Sequence, residues 1–163
     1  MSSADPLVFL VAGEPSGDVL GANLIRALKQ ASGGRIRIAG VGGERMAAEG
    51  LASLFPIEDI AVMGITEIVP RVPVIFERLR RTKAAIRAQR PSVVVTIDAP
   101  AFCIRIAEAA KKAGIPVVHY VGPQYWAWRP WRVRRFARAI DQLMALLPFE
   151  KAFFEKAGIA CTY

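Results

Sequence analysis

Glu14, Ser16 and Asp18 crowd into the turn that follows a short apolar run, in the sequence LVFLVAGEPSGD over residues 7–18, and a second acidic turn, Asp98-Ala99-Pro100, follows the run VVVTI. Residues just beyond the carboxyl ends of strands are where open α/β sheets bind ligands. A carboxylate there is partly desolvated, which raises its proton affinity and makes it a better general base than one in bulk water. Asp98 is therefore the first candidate for catalysis, with Glu14, Ser16, Gly17 and Asp18 as candidate ligand contacts. Gly13, Gly17 and Gly21 are spaced G-x-x-x-G-x-x-x-G, which is neither the dinucleotide fingerprint nor a P-loop, and two acids there would repel a pyrophosphate. The same residues also allow a structural reading, with Ser16 capping a helix and Asp18 complementing its dipole. For Asp98 the capping alternative is weakened by Pro100, which is expected to delay the next helix.

A third loop, GPQYWAWRP over residues 122–130, carries Trp126 and Trp128, with Trp131 just beyond and Arg129, Arg132, Arg134 and Arg135 alongside. Clustered aromatics of this kind stack on bases, pack on a sugar ring or brace a loop in the core. His119 precedes the loop, so a buried strand histidine is expected there rather than a catalyst.

These turns need a scaffold that brings them together. Apolar runs of strand length, at Leu7–Ala12 and residues 35–41, 92–97, 116–121 and 142–146, alternate with segments of helical period such as Leu20, Leu24 and Leu28. Helices are also expected over residues 101–113 and 148–157, and Gly42-Gly43 opens a short helix that Gly50 closes. The pattern is that of an α/β domain with a mostly parallel sheet and helices on both faces. In such a sheet the three loops emerge on one edge. Residues 159–163 read as the start of another strand, so the chain is expected to be a fragment or one domain of a longer protein.

Residues 57–90 break the alternation. Met63 and Glu67 precede an apolar set, Ile68, Val69, Val72, Ile75, Phe76 and Leu79, beside Arg71, Arg78, Arg80, Arg81 and Lys83. An apolar face flanked by cations suits the headgroup region of an anionic membrane, and it equally suits an ordinary helix packed on a sheet. Pro70 and Pro73 predict that any long helix starts only after them.

Composition sets the outer limits. A chain of 163 residues, 53% hydrophobic, forms one domain with a substantial core. No apolar run approaches the ~20 residues that span a bilayer, and the N-terminus lacks the layout of a signal peptide, so a cytoplasmic location is expected. Two separated cysteines and one histidine argue against a disulfide framework or a zinc site. No metal or cofactor is expected. The net charge of +8 draws nucleic acid, acidic lipid or phosphorylated substrates alike; the acidic strand-end turns and the lack of a recognised binding motif weigh against nucleic acid.

AGEPSGD, GVGGERM, MGITEI, TIDAPAF, HYVGPQYWAWRP and LPFEKAFFEKAGI stand in the order and spacing of the lipid-A-disaccharide synthase family, which the chain resembles over nearly its whole length. The resemblance implies residues 1–163 as the N-terminal, Rossmann-like acceptor domain of a GT-B glycosyltransferase, incomplete for catalysis without a nucleotide-sugar domain. The implied reaction moves diacylglucosamine from its UDP-linked donor to the 6-hydroxyl of diacylglucosamine 1-phosphate with inversion, on the cytoplasmic face of the anionic inner membrane. Asp98 would be the general base. Glu14, Ser16, Gly17, Asp18, Met63, Glu67, Trp126, Trp128 and Arg129 would contact substrate, and the apolar set from Ile68 to Leu79 would meet acyl chains or membrane. Neither a metal nor a cofactor is implied. Another GT-B transferase and a nucleic-acid-binding module are the alternatives. Ala101, where the family commonly has an acid, Cys103, where a polar residue is usual, and Gln124-Tyr125, where small residues are typical, depart from its pattern.

Overall fold

A computed structural model describes residues 4–62, 64–127 and 130–163. In chain order its elements are β1 (Leu7–Ala12), α1 (Pro15–Ser32), β2 (Arg37–Val41), α2 (Glu44–Ala48), α3 (Ile65–Gln89), β3 (Val93–Ile97), α4 (Pro100–Lys112), β4 (Val117–Tyr120), α5 (Val133–Ala139), β5 (Gln142–Met144), α6 (Pro148–Lys156) and β6 (Ala160–Thr162). The six strands form one parallel sheet in the order β2-β1-β3-β4-β5-β6. This is the α/β fold expected from the sequence.

β1 is the centre of the molecule. All six of its residues are buried, and the two-residue period of a strand sends them to two cores. Phe9 and Val11 pack with Leu79 and Ile86 of α3, Phe102 and Ile106 of α4, Phe136 of α5 and Phe154 of α6. Val8, Leu10 and Ala12 pack with Ala22 and Ile25 of α1 and Met46 of α2. The chain leaves β1 for β2 on one side and returns to β3 on the other. The crevice beyond the carboxyl ends of β1 and β3 is therefore the topological switch point, the place where such sheets bind ligands.

Several boundaries differ from the sequence expectation. β4 stops at Tyr120 because Val121 turns left-handed, with φ 75°, and β5 stops at Met144 before Pro148 opens α6. The larger difference is α3, which begins at Ile65 and includes Pro70 and Pro73 instead of starting after them. A proline at 70 or 73 withholds an N–H from the carbonyl of Thr66 or Val69, and both of those residues are exposed, so the freed carbonyls are not buried without a partner. Packing of Ile75, Leu79 and Ile86 on the core offsets the lost bonds.

Asp18 is a structural residue, contrary to the ligand-contact role expected of it. It lies inside α1 with 6% of its surface exposed, and its carboxylate accepts N–H bonds from Gly43 (2.8 Å), Arg45 (3.0 Å) and Met46 (3.0 Å). Those are donors at the start of α2, which has no cap of its own, so α1 supplies the anion that the positive end of α2 requires. Gly17 is likewise a packing residue: it is buried, and a Cβ there would stand 3.3 Å from the carbonyl oxygen of Ile97. Asp18→Ala strands three amides at once and is expected to lower unfolding stability by about 2 kcal/mol or more, read from the urea midpoint. Asp18→Asn, which keeps an acceptor oxygen, should lose less.

Candidate active site at the switch point

The two acidic turns meet because one position has no side chain. Gly13 follows β1, and a Cβ on it would lie 2.4 Å from the Cβ of Ala99, well inside contact distance. The turn after β3 is held in an unusual form: Asp98 and Ala99 are both left-handed, with φ 51° and 42°. Such conformations cost of order 1 kcal/mol or more each outside glycine and persist only where the surroundings over-determine them. Here the Asp98 amide is bonded to the Tyr120 carbonyl at 2.9 Å, and the Ala99 carbonyl accepts from Phe102 and Cys103 at 3.1 and 3.0 Å. Pro100 does not delay α4, as the sequence suggested; it occupies the first helical position, with Ala99 as the cap. Asp98 makes no capping bond.

Its carboxylate faces the other turn. Ser16 Oγ donates to Asp98 Oδ2 at 3.3 Å, while the cap position of α1 is taken by Glu14, whose side chain makes no capping bond. Both capping alternatives therefore fall away, and Glu14, Ser16 and Asp98 stand together where the two turns meet. The Glu14 carboxyl is pushed above the usual glutamate range, first by burial and second by the charge of Asp98. Close acids with a raised carboxyl pKa make this a candidate site for proton transfer.

An apolar groove of about 330 Å³ opens from this point, with Gly13, Glu14 and Ala99 at one end and Ile68, Val72, Ile75 and Phe76 along one wall. The spacing of those four residues places them on one face of α3. The helix therefore turns this stripe toward the groove beside Glu14. Leu79, expected at an acyl or membrane surface, has 5% of its surface exposed and forms part of the groove's floor, so it cannot face a membrane. Val69 is 66% exposed and lies outside the groove lining. Glu67 is exposed in the first turn of α3.

Trp126 is braced on α6: its Nε1 donates to Glu150 at 3.4 Å, and its ring stands edge-on to Phe149 at 4.9 Å. Met63, Trp128 and Arg129 lie outside the described residues. His119 is buried in β4 as expected, with Nδ1 2.7 Å from Thr96 Oγ1. Cys103 is buried in α4. A second cavity of about 340 Å³ lies beyond Pro100 and Ala101, lined also by Arg105, Tyr125, Arg132 and Arg135. Sequence reasoning did not assemble this group. The available signal was the four-residue step from Ala101 to Arg105 on α4, but nothing in the sequence brings Tyr125 and Arg132 to that face. Two of the departures noted above, Ala101 and Tyr125, line this one cavity.

Replacing Asp98 with Asn removes the charge that acts on Glu14 and leaves its burial. The Glu14 pKa should fall in Asp98→Asn while staying above that of a solvated glutamate, as followed by carboxyl-carbon NMR titration. No movement would mean that the two acids do not face each other.

Comparison with known proteins bears on the family and the fold. The model of the lipid-A-disaccharide synthetase family matches residues 8–163. Lipid-A-disaccharide synthases from Rhodospirillum centenum and Paramagnetospirillum magneticum are 52% and 48% identical over 159 and 155 residues, which is 96% and 94% of this chain. The chain spans about 40% of the length of each of these curated relatives. Among solved structures, MurG from Acinetobacter baumannii aligns with a TM-score of 0.58 at 15% identity, over 88% of this chain and 42% of that one. UDP-GlcNAc 2-epimerase from Neisseria meningitidis aligns at 0.63 and 15%, over 94% and 44%. These likenesses show the Rossmann-like fold of GT-B proteins, and the sequence match is what makes the chain a member of the lipid-A-disaccharide synthetase family.

Proposed function

We propose that this chain is the acceptor-holding domain of an inverting glycosyltransferase that moves diacylglucosamine from UDP-diacylglucosamine to the 6-hydroxyl of diacylglucosamine 1-phosphate. The products are the β-1,6-linked tetraacyl disaccharide 1-phosphate and UDP. The observation that carries this reading is the Asp98 carboxylate, oriented by Ser16 at 3.3 Å, beside an apolar groove at the switch point. In the step proposed, the acceptor oxygen attacks the anomeric carbon from the face opposite UDP, and the bond from that carbon to the diphosphate oxygen breaks with its electrons leaving on UDP. The hydroxyl proton passes to Asp98 as the new bond forms. Glu14, with its raised pKa, keeps a donor proton over a wider pH range than an ordinary glutamate, which suits it to hold a sugar hydroxyl in line.

Ile68, Val72, Ile75 and Phe76 would receive acyl chain, with Val69 toward an anionic inner-membrane surface on its cytoplasmic side. No described helix is long and apolar enough to cross a membrane, and this reading requires only attachment. Glu67 and Trp126, together with Met63, Trp128 and Arg129, would complete the acceptor side. The nucleotide-sugar domain would occupy the part of the relatives' length that this chain does not span.

In the intact protein, Asp98→Asn should lower kcat by about 10²- to 10⁴-fold with little change in acceptor KM. An equal loss in both would make Asp98 a binding residue instead. The 163-residue chain assayed alone with donor and acceptor should show no turnover, and full turnover would overturn the division between two domains.

A further inference from the structure

The second cavity carries chemistry that the proton-transfer site does not use. Arg105, Arg132 and Arg135 line it together with Tyr125 and the first residues of α4, and no carboxylate is among its described lining residues. Glu108 takes a forked pair of bonds from Arg135, at 2.7 Å from Nε and 3.0 Å from Nη2. The fork fixes that guanidinium and leaves its other amino group free to donate. Three guanidiniums against one carboxylate leave two positive charges, matching the charge of about −2 on a phosphate monoester near neutral pH. Pro100 and Ala101 add the positive end of a thirteen-residue helix, α4. Tyr125 is 8% exposed and stands edge-on to Phe136 at 5.9 Å. Burial raises its hydroxyl pKa, and the charges of Arg132 and Arg135 pull it back, so the phenol lies within their field.

The two cavities share Pro100, Ala101 and Arg105. Arg105 also reaches over the Phe76 ring, 5.8 Å from its centroid, so one side chain stands between an apolar groove and a cationic pocket. A ligand filling both has a hydrocarbon part on one side of the shared residues and a phosphate on the other. We propose that Arg105, Tyr125, Arg132 and Arg135 form a binding subsite for a phosphate monoester, that of the acylated sugar acceptor, across the Pro100-Ala101 ridge from the apolar groove. The identity of the acceptor rests on the function proposed above; the affinity for a phosphate monoester rests on this pocket alone.

The test is calorimetric titration of the intact protein with glucosamine 1-phosphate, with glucosamine as the control that lacks the phosphate. Arg105→Gln and Arg132→Gln should each weaken glucosamine 1-phosphate about tenfold and flatten its salt dependence. Inorganic phosphate should compete. Arg35→Gln, which removes the same charge before the amino end of β2, should change neither. Flotation with vesicles of phosphatidic acid, which displays a phosphate monoester, against phosphatidylglycerol, a diester, separates a lipid headgroup from the acceptor. Arg132-dependent retention on phosphatidic acid vesicles without glucosamine 1-phosphate binding would overturn the assignment to the acceptor. Unchanged affinity in both arginine variants would overturn the subsite even where Asp98-dependent transfer persists. Arg132-dependent phosphate binding in a protein that transfers to no acylated acceptor would support the subsite and remove the transferase reading.

Discussion

The contact of Ala99 with Gly13 is the constraint on which the site depends. Two parallel strands that are hydrogen-bonded neighbours put their carboxyl ends about 4.8 Å apart, but their following turns ordinarily diverge as each chain leaves for its own helix. Here the missing side chain at 13 lets the Ala99 turn lie directly on the turn after β1. The left-handed pair Asp98-Ala99 then aims a carboxylate sideways across the crevice, toward Ser16, instead of along the strand. The strain is held by hydrogen bonds to β4 and into α4. A fold that stores backbone energy in an acidic turn, at its switch point, has used stability to orient a charge.

The same turn decides where α4 begins, and so decides both cavities. With Pro100 at the first helical position, Phe102, Cys103 and Ile106 go to the core, which leaves Ala101 and Arg105 on the outer face, one turn apart. The apolar groove lies on one side of that face and the cationic pocket on the other. Acid, apolar wall and cations are thus all referred to a single helix start. Displacing that start by one residue rotates the face by about 100°, which would carry Arg105 out of both.

Much of this was legible in the sequence where burial alone sets the pattern. The run Leu7–Ala12 reads as a strand because burial of both its faces leaves it wholly apolar, and parallel order puts its turn on the same edge of the sheet as that of Asp98. Asp18 was misplaced for a geometric reason. Ser16 and Asp18 are two residues apart, which on a helix is about 200°, so once Pro15 starts α1 they must face opposite ways. One then meets Asp98 and the other meets α2. The proline at 15 was a readable sign of that helix start, and adjacency in the loop concealed it. The cationic pocket was not readable, because Arg105, Tyr125 and Arg132 come from two separate segments whose approach depends on how α4 meets the loop after β4.

Burial also limits which groups can react. Cys103 is the thiol nearest the site, and burial pushes its pKa up to about 12, against a weaker opposing backbone hydrogen bond at Ile97. It therefore stays a neutral thiol at any physiological pH and is no nucleophile. His119, the lone histidine, is pulled down to about 4 by the same desolvation, so its ring is neutral and its Nδ1 is engaged with Thr96. With the soft nucleophile and the imidazole both withdrawn into the core, the described groups left at the crevice are two carboxyls and a hydroxyl. Such a set moves protons and orients hydroxyls, and it lacks an activated nucleophile for a covalent intermediate on the thiol or imidazole. Two carboxyls and a hydroxyl at one crevice can take up a proton and orient a hydroxyl, which is what the proposed attack by an acceptor oxygen would require.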